Sequence, residues 1–171
     1  MMPAGPLGGA AVDPATFRRA LGRVPTSVSV IAAGTREGPA GLVVGSLVSI
    51  SLVPPLIGIF VSESSTSWPR IEATGTFTAN VLAHGQHELC ARFARPGGAK
   101  FTGLTWLTSP LGNPLLPGVT GWIDCTLRDV LRIGDHSLAV GQVESAGEGN
   151  GGPPLVHHEG LLRALAPYGE R

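Results

Sequence analysis

The stretch from Gly41 to Pro55 constrains the fold more than any other part of the chain. Its second half alternates with a period of two: Val48, Ile50 and Leu52 fall on one side, Ser49 and Ser51 on the other. Successive side chains of extended backbone point to opposite faces, so this is a strand. Pro54 and Pro55 end it, because proline cannot donate to a ladder. The first half holds Gly41, Gly45 and Ser46. Backbone so lightly covered is open to close approach by a ligand. Backbone amides followed by two hydroxyls on one face suit a flat, hydrogen-bonding ring with a phosphate tail. An ordinary barrel strand with small outward residues satisfies the same pattern.

Other segments repeat the alternation. Thr26 to Ala33 sets Val28, Val30 and Ala32 opposite Ser27, Ser29 and Ile31. Thr76 to Leu82 sets Phe77, Ala79 and Val81 against Thr76, Thr78 and Asn80. Trp122 to Arg132 is a long strand, with Ile123, Cys125 and Leu127 inward and Asp124, Thr126 and Arg128 outward. A turn at Ile133-Gly134-Asp135 returns it as His136 to Ser145. Leu56 to Val61 is continuously apolar and reads as a strand covered on both faces. Short helices fall at Asp13-Pro14, around Pro69 and over His87 to Ala94. About six or seven short strands with a few peripheral helices predict a mainly β fold, a closed antiparallel barrel. No strand leads into a dinucleotide-binding glycine fingerprint, which weakens a doubly wound sheet.

Composition narrows the partners. The 171 residues fit one domain, with residues 1–11 as a flexible leader, 12–166 as the domain and 167–171 as a tail. Twelve basic residues balance twelve acidic ones, which leaves no electrostatic reason to expect nucleic acid or an anionic membrane. The chain is 43% apolar and only 14% charged, so apolar surface is left to hide, and a homo-oligomer is expected. Cys90 and Cys125 have no metal-ligand spacing and suit a reducing cytoplasm. Cys90 reads as a small apolar residue of a helix rather than a nucleophile. No apolar run approaches the roughly 20 residues that span a bilayer.

Three further places carry candidate chemistry. Ser64 and Ser65 lie in a hydroxyl cluster, Ser62 to Ser67, that leads into a short helix, a natural anion seat. Lys100 and Phe101 follow the loop at Pro96-Gly97-Gly98 and put one cation beside one ring. His136 stands just past a hairpin turn. The remaining histidines have no metal spacing.

Taken together, these segments resemble a known family. Phe17 to Val28, Ser49 to Leu56, Thr76 to Leu82, Arg92-Phe93-Ala94, Lys100-Phe101, Gly134-Asp135-His136, Gly141-Gln142-Val143 and Pro154-Leu155-Val156 occur in the order and at the spacing of the flavin reductase-like proteins of the FMN-binding split-barrel fold. The resemblance runs from about Phe17 to about Leu165. It implies a homodimer with flavin sites near the subunit interface. It implies FMN or FAD as cofactor, NADH or NADPH as hydride donor, and a flavin-dependent monooxygenase that receives diffusible reduced flavin. Position by position, it implies that Val43, Val44, Gly45 and Ser46 meet the ring through backbone amides. Ser49 and Ser51 would lie along the ribityl phosphate, as would Ser64 and Ser65 after the next strand. Lys100 and Phe101 would close over the flavin, and His136 would dock the nicotinamide. No catalytic side chain and no metal is implied, because the protein aligns two rings and the cofactors do the chemistry.

The chain departs from the family within Gly41 to Val48. Val43 stands where the family commonly has Thr, Gly45 where it has Asn or a similar polar residue, Leu47 where it has Phe, and Val48 where it has Thr. Each lost hydrogen bond to a ligand costs on the order of 0.5–1.5 kcal/mol, up to about tenfold in affinity. The departures keep two other functions in view: a diverged split-barrel enzyme with a non-flavin substrate, and a non-catalytic flavin-binding protein.

Overall fold

The computed structural model describes residues 12–165. The expected leader and tail lie outside these residues. The chain opens with α1 (Pro14–Gly22), capped as its sequence predicts: the Asp13 carboxylate accepts from the amides of Ala15 and Thr16. Then come β1 (Thr26–Ser27), β2 (Ser29–Thr35), β3 (Gly38–Val44), β4 (Val48–Leu52) and β5 (Pro55–Ser62). After α2 (Trp68–Glu72) and β6 (Thr76–Val81) follows α3 (His87–Ala94). The short pair β7 (Leu107–Thr108) and β8 (Pro114–Leu115) precedes the long hairpin of β9 (Gly121–Ile133) and β10 (His136–Glu148). The described chain ends in β11 (Leu155–His158) and β12 (Leu161–Ala164).

Seven strands form one antiparallel sheet in the order β3-β2-β6-β9-β10-β5-β4. The sheet curls until β3, at one end, touches β5, next to the other end. The expected closure is not completed by strand pairing: β3 and β4 each keep a free edge within this sheet. One side chain laces the seam instead. The Ser46 hydroxyl accepts from the Phe60 amide at 2.9 Å and donates to the Phe60 carbonyl at 3.0 Å. This satisfies two backbone groups that a strand partner would otherwise take.

Two apolar clusters flank β2. Ile31, Leu42, Val44, Ile59, Phe77 and Cys125 fill the inside of the curl. Val30, Ala32, Phe93, Phe101 and Leu155 pack outside it, under α3 and β11. Each large side chain so buried contributes roughly 1.5–3 kcal/mol relative to exposure. β2 is therefore covered on both faces, where its alternation predicts one.

Two polar residues, Asp124, expected outward, and Asn80, are fully buried. Asp124 accepts from the Thr78 hydroxyl, from Asn113 Nδ2 at 3.0 Å and from the Leu111 amide at 2.9 Å. Asn80 donates to the Pro114 carbonyl and accepts from the Leu116 amide. The irregular segment around β7 and β8 thus lies over β6 and β9 and supplies partners to polar groups that would be costly to bury alone.

Candidate functional site

The open seam also holds a cavity. A cleft of about 650 Å³ runs between the end of β3 and the end of β5. β3 and the link after it contribute Val43, Val44, Gly45 and Ser46; β5 contributes Phe60 and Ser62. Ser64, Ser65, Thr66 and Ser67 close one end, Ala94, Arg95 and Pro96 after α3 another, and His136 the rim. The cleft thus joins an apolar wall to a cluster of hydroxyls, at a size within the roughly 300–1,000 Å³ typical of small-ligand sites.

The hydroxyl cluster is held by its own bonds. Ser62 Oγ and Ser64 Oγ lie 2.8 Å apart, and Ser65 Oγ accepts from the Trp68 amide at 3.2 Å. Thr66 Oγ1 accepts from the Gly97 amide at 3.1 Å, tying the glycine loop to the same corner. Ser65 and Thr66, which accept from amides here, keep their protons to donate.

Lys100 lines the cleft as expected, with its ammonium engaged by the wall itself. Its ammonium donates to the Gly41 carbonyl, the Ser67 hydroxyl and the Phe93 carbonyl, each at 3.1 Å. All three donors are used, so Lys100 clamps three walls of the cleft together. Partial burial lowers the pKa of this ammonium from its ordinary value. Phe101 does not reach the cleft. It is buried edge-on against Phe93 and Trp106, at centroid distances of 5.0 and 5.4 Å, because the aromatic cluster offers it more contact than the open loop.

Ser49 and Ser51 sit on β4 and do not line the cleft. A register shift between them breaks the regular pairing with β5. His136 does reach the rim, with Nδ1 2.7 Å from Asp135 Oδ1. A carboxylate only accepts, so Nδ1 carries the proton of that bond. The same bond holds the Asp135 carboxyl below its ordinary pKa. Thr26, Phe60, Thr66, Ser67 and Arg95 also line the cleft; of these only Thr66 and Ser67, in the hydroxyl run, gave any signal as site residues in the sequence.

Gly45 shows how closely the wall is built. A Cβ added there would lie 2.8 Å from Thr26 Oγ1, so the hydroxyl of β1 already occupies that space. Among the described residues, no group of three or more His, Cys, Asp or Glu side chains is placed to hold a metal ion, and no helix is long and apolar enough to cross a membrane.

A curled antiparallel sheet with a nucleotide-sized cleft along its open seam is the class that fold and site define. Known proteins of that class share both sequence and shape with this chain. The model of the flavin reductase like domain matches residues 21–166. A flavin reductase of Pseudomonas putida is 45% identical over 134 residues, 78% of this chain and 79% of that protein. The reductase subunit HsaB of a flavin-dependent monooxygenase of Rhodococcus jostii is 40% identical over 157 residues, 92% of this chain and 80% of that protein. Among solved structures, nitrilotriacetate monooxygenase component B from Mycobacterium thermoresistibile superposes with a TM-score of 0.86 at 35% identity, covering 94% of each chain. The NADH:FAD oxidoreductase SgcE6 of Streptomyces globisporus, in complex with NAD and FAD fragments, gives 0.86 at 30% identity over 95% of this chain and all of the other. The chain belongs to the flavin reductase-like family.

Proposed function

We propose that this chain is an NAD(P)H:flavin oxidoreductase that passes reduced flavin to a partner monooxygenase. One observation carries the reading: in a member of this family, the seam of the sheet holds a cleft that pairs a thinly covered backbone with a hydroxyl cluster. When bound, the flavin takes up a hydride from the reduced nicotinamide. The chain's own residues bind and orient. The backbone of Val43, Val44, Gly45 and Ser46 faces the ring, and Val43 and Phe60 supply its apolar walls. Ser64, Ser65, Thr66 and Ser67 donate to the phosphate. Lys100 polarises the Ser67 hydroxyl from behind and leaves its proton free to point into the cleft. His136 docks the nicotinamide at the rim. We assign no ligand contact to Ser49, Ser51 or Phe101.

The outer face of β4, β5, β9 and β10 supports a homodimer. Phe60, Leu138 and Leu131 lie side by side across three strands, and Ile50 lies over Gly58 next to them. Leu131 and Ile50 are about half exposed, at 50% and 46%. Phe60 belongs to both this face and the cleft. A second copy seated there covers the apolar surface and shields the flavin. The free thiols Cys90 and Cys125 fit a cytoplasmic protein.

The test mixes the purified protein with flavin and reduced nicotinamide under air, across FMN or FAD and NADH or NADPH. The name of SgcE6 supports NADH with FAD as the first pairing to try. Nicotinamide absorbance is expected to fall; no loss in any of the four pairings rejects the proposal. Val43 and Gly45 motivate the two rivals. A colourless protein that leaves flavin fluorescence unchanged favours a non-flavin substrate. One that quenches flavin fluorescence but spares the nicotinamide favours a non-catalytic binder.

A further inference from the structure

Gly45 is the one position in the Val43 to Ser46 wall that lacks a side chain. The gap is not empty. Thr26 Oγ1 lies 2.8 Å from the place a Gly45 Cβ would take, and Thr26 Cβ lies 3.5 Å from it. Contact at 2.8 Å is closer than a carbon can approach without displacing its neighbour. Thr26 also lines the cleft, and with Gly45, Val43 and Val44 it lines a smaller cavity behind the wall, beside Cys90 and His157. Its backbone is anchored there, since β1 pairs with β11 through Thr26 and His157. The hydroxyl therefore reaches the wall from a neighbouring strand, through the window that the missing side chain leaves.

We infer that Thr26 is a flavin-positioning residue whose hydroxyl reaches the ring through the window at Gly45 and bonds the ring rather than the phosphate. This rests on the flavin-binding reading above. A hydroxyl both donates and accepts, so it can meet either kind of group on the polar edge of the ring. The Thr26–Gly45 pair is then one unit: glycine makes the space and threonine fills it. A side chain at position 45 pushes the hydroxyl away, and loss of the hydroxyl leaves the window apolar.

Fluorescence titration of the full chain with FMN, and separately with riboflavin, tests this. Thr26→Val is expected to weaken both ligands by the same factor, about threefold to tenfold, with Thr26→Ser within about twofold of wild type. Gly45→Ala is expected to cost a similar factor beside Thr26 and little further beside Thr26→Ala, a coupling that a double-mutant cycle reads directly. Thermal melts show whether each variant is folded. If Thr26→Val binds both ligands as wild type does, or if Gly45→Ala costs the same with and without the hydroxyl, the inference falls while the flavin site stands. A loss with FMN but not riboflavin also overturns it, by moving the contact to the phosphate. If wild type quenches neither ligand, the flavin reading falls and takes this inference with it.

Discussion

The two halves of the stretch from Gly41 to Leu52 meet opposite fates. The first half turns inward at the seam: Leu42 and Val44 are core, and Val43 to Ser46 wall the cleft. The second half, β4, turns its apolar side outward, with Val48 at 47% and Leu52 at 85% exposure. Both halves are short, apolar and extended. The difference is what lies across from them. β3 ends beside a β5 that is already curling back, so its free edge becomes a ligand wall. Among the described residues, β4 is an edge strand with no partner beyond it, so its apolar side stays exposed, as the proposed dimer needs. A free edge lines a cleft where the sheet folds over it and leaves exposed apolar surface where it does not.

Ways to break this contrast rank by size. A charge on the outer half has the largest expected effect. Ile50→Asp is expected to weaken self-association by about 100-fold, as loss of a central apolar contact does, and to leave a folded monomer. Sedimentation velocity reads it, and an unchanged sedimenting species would show that the apolar face is not the interface. The clamp behind the inner half comes next. Lys100→Met removes three charged hydrogen bonds and strands two carbonyls and a hydroxyl, at a cost of about 2 kcal/mol in a partly solvated setting. Urea denaturation measures that loss, and the same variant is expected to bind FMN less well. Equal stability would mean that water satisfies all three acceptors.

The hydroxyl end sharpens the comparison further. Ser64→Ala with Ser65→Ala is expected to lower FMN affinity by about tenfold and leave riboflavin affinity within about twofold, because only FMN carries the charge these hydroxyls meet. Equal losses for both would place their role in holding the loop. The smallest effect concerns the thiols. Burial pushes the Cys125 thiol up to about 12, with the charges of Asp124 and Glu144 adding to it, and burial also raises Cys90. A raised thiol pKa shifts the reactive thiolate to higher pH. At neutral pH in the folded protein, iodoacetamide is expected to leave Cys125 unmodified and to label half-buried Cys90 more slowly than a free cysteine. Mass spectrometry of tryptic peptides checks this, and rapid labelling of Cys125 would mean that the hairpin of β9 and β10 opens.

Much of the site was legible because it is contiguous. Val43 to Ser46 and the Ser62 to Ser67 hydroxyls were visible as a thin backbone and a polar run. Thr26 was not, because its relevance lies in touching position 45 across a gap of nineteen residues, with no local signature. Asp124 was misread as outward for a related reason. Alternation says that two residues share a face, and it is silent on whether water or a hydrogen-bonding loop covers that face. Lys100 and Phe101 were read as a lid, yet the carbonyls and rings that capture them come from α3, β3 and the loop beyond.

By itself, the sequence determined the β class, the strands and their stops, since a period of two and the prolines act within a few residues. It also determined the family, through motifs whose order survives substitution. Only the tertiary structure decided that the sheet curls without closing its ladder, that the cleft opens at that seam, and that one hydroxyl from β1 lies against Gly45 after β3. Those outcomes depend on distances between residues far apart in the chain, and packing sets such distances only once the whole sheet has formed.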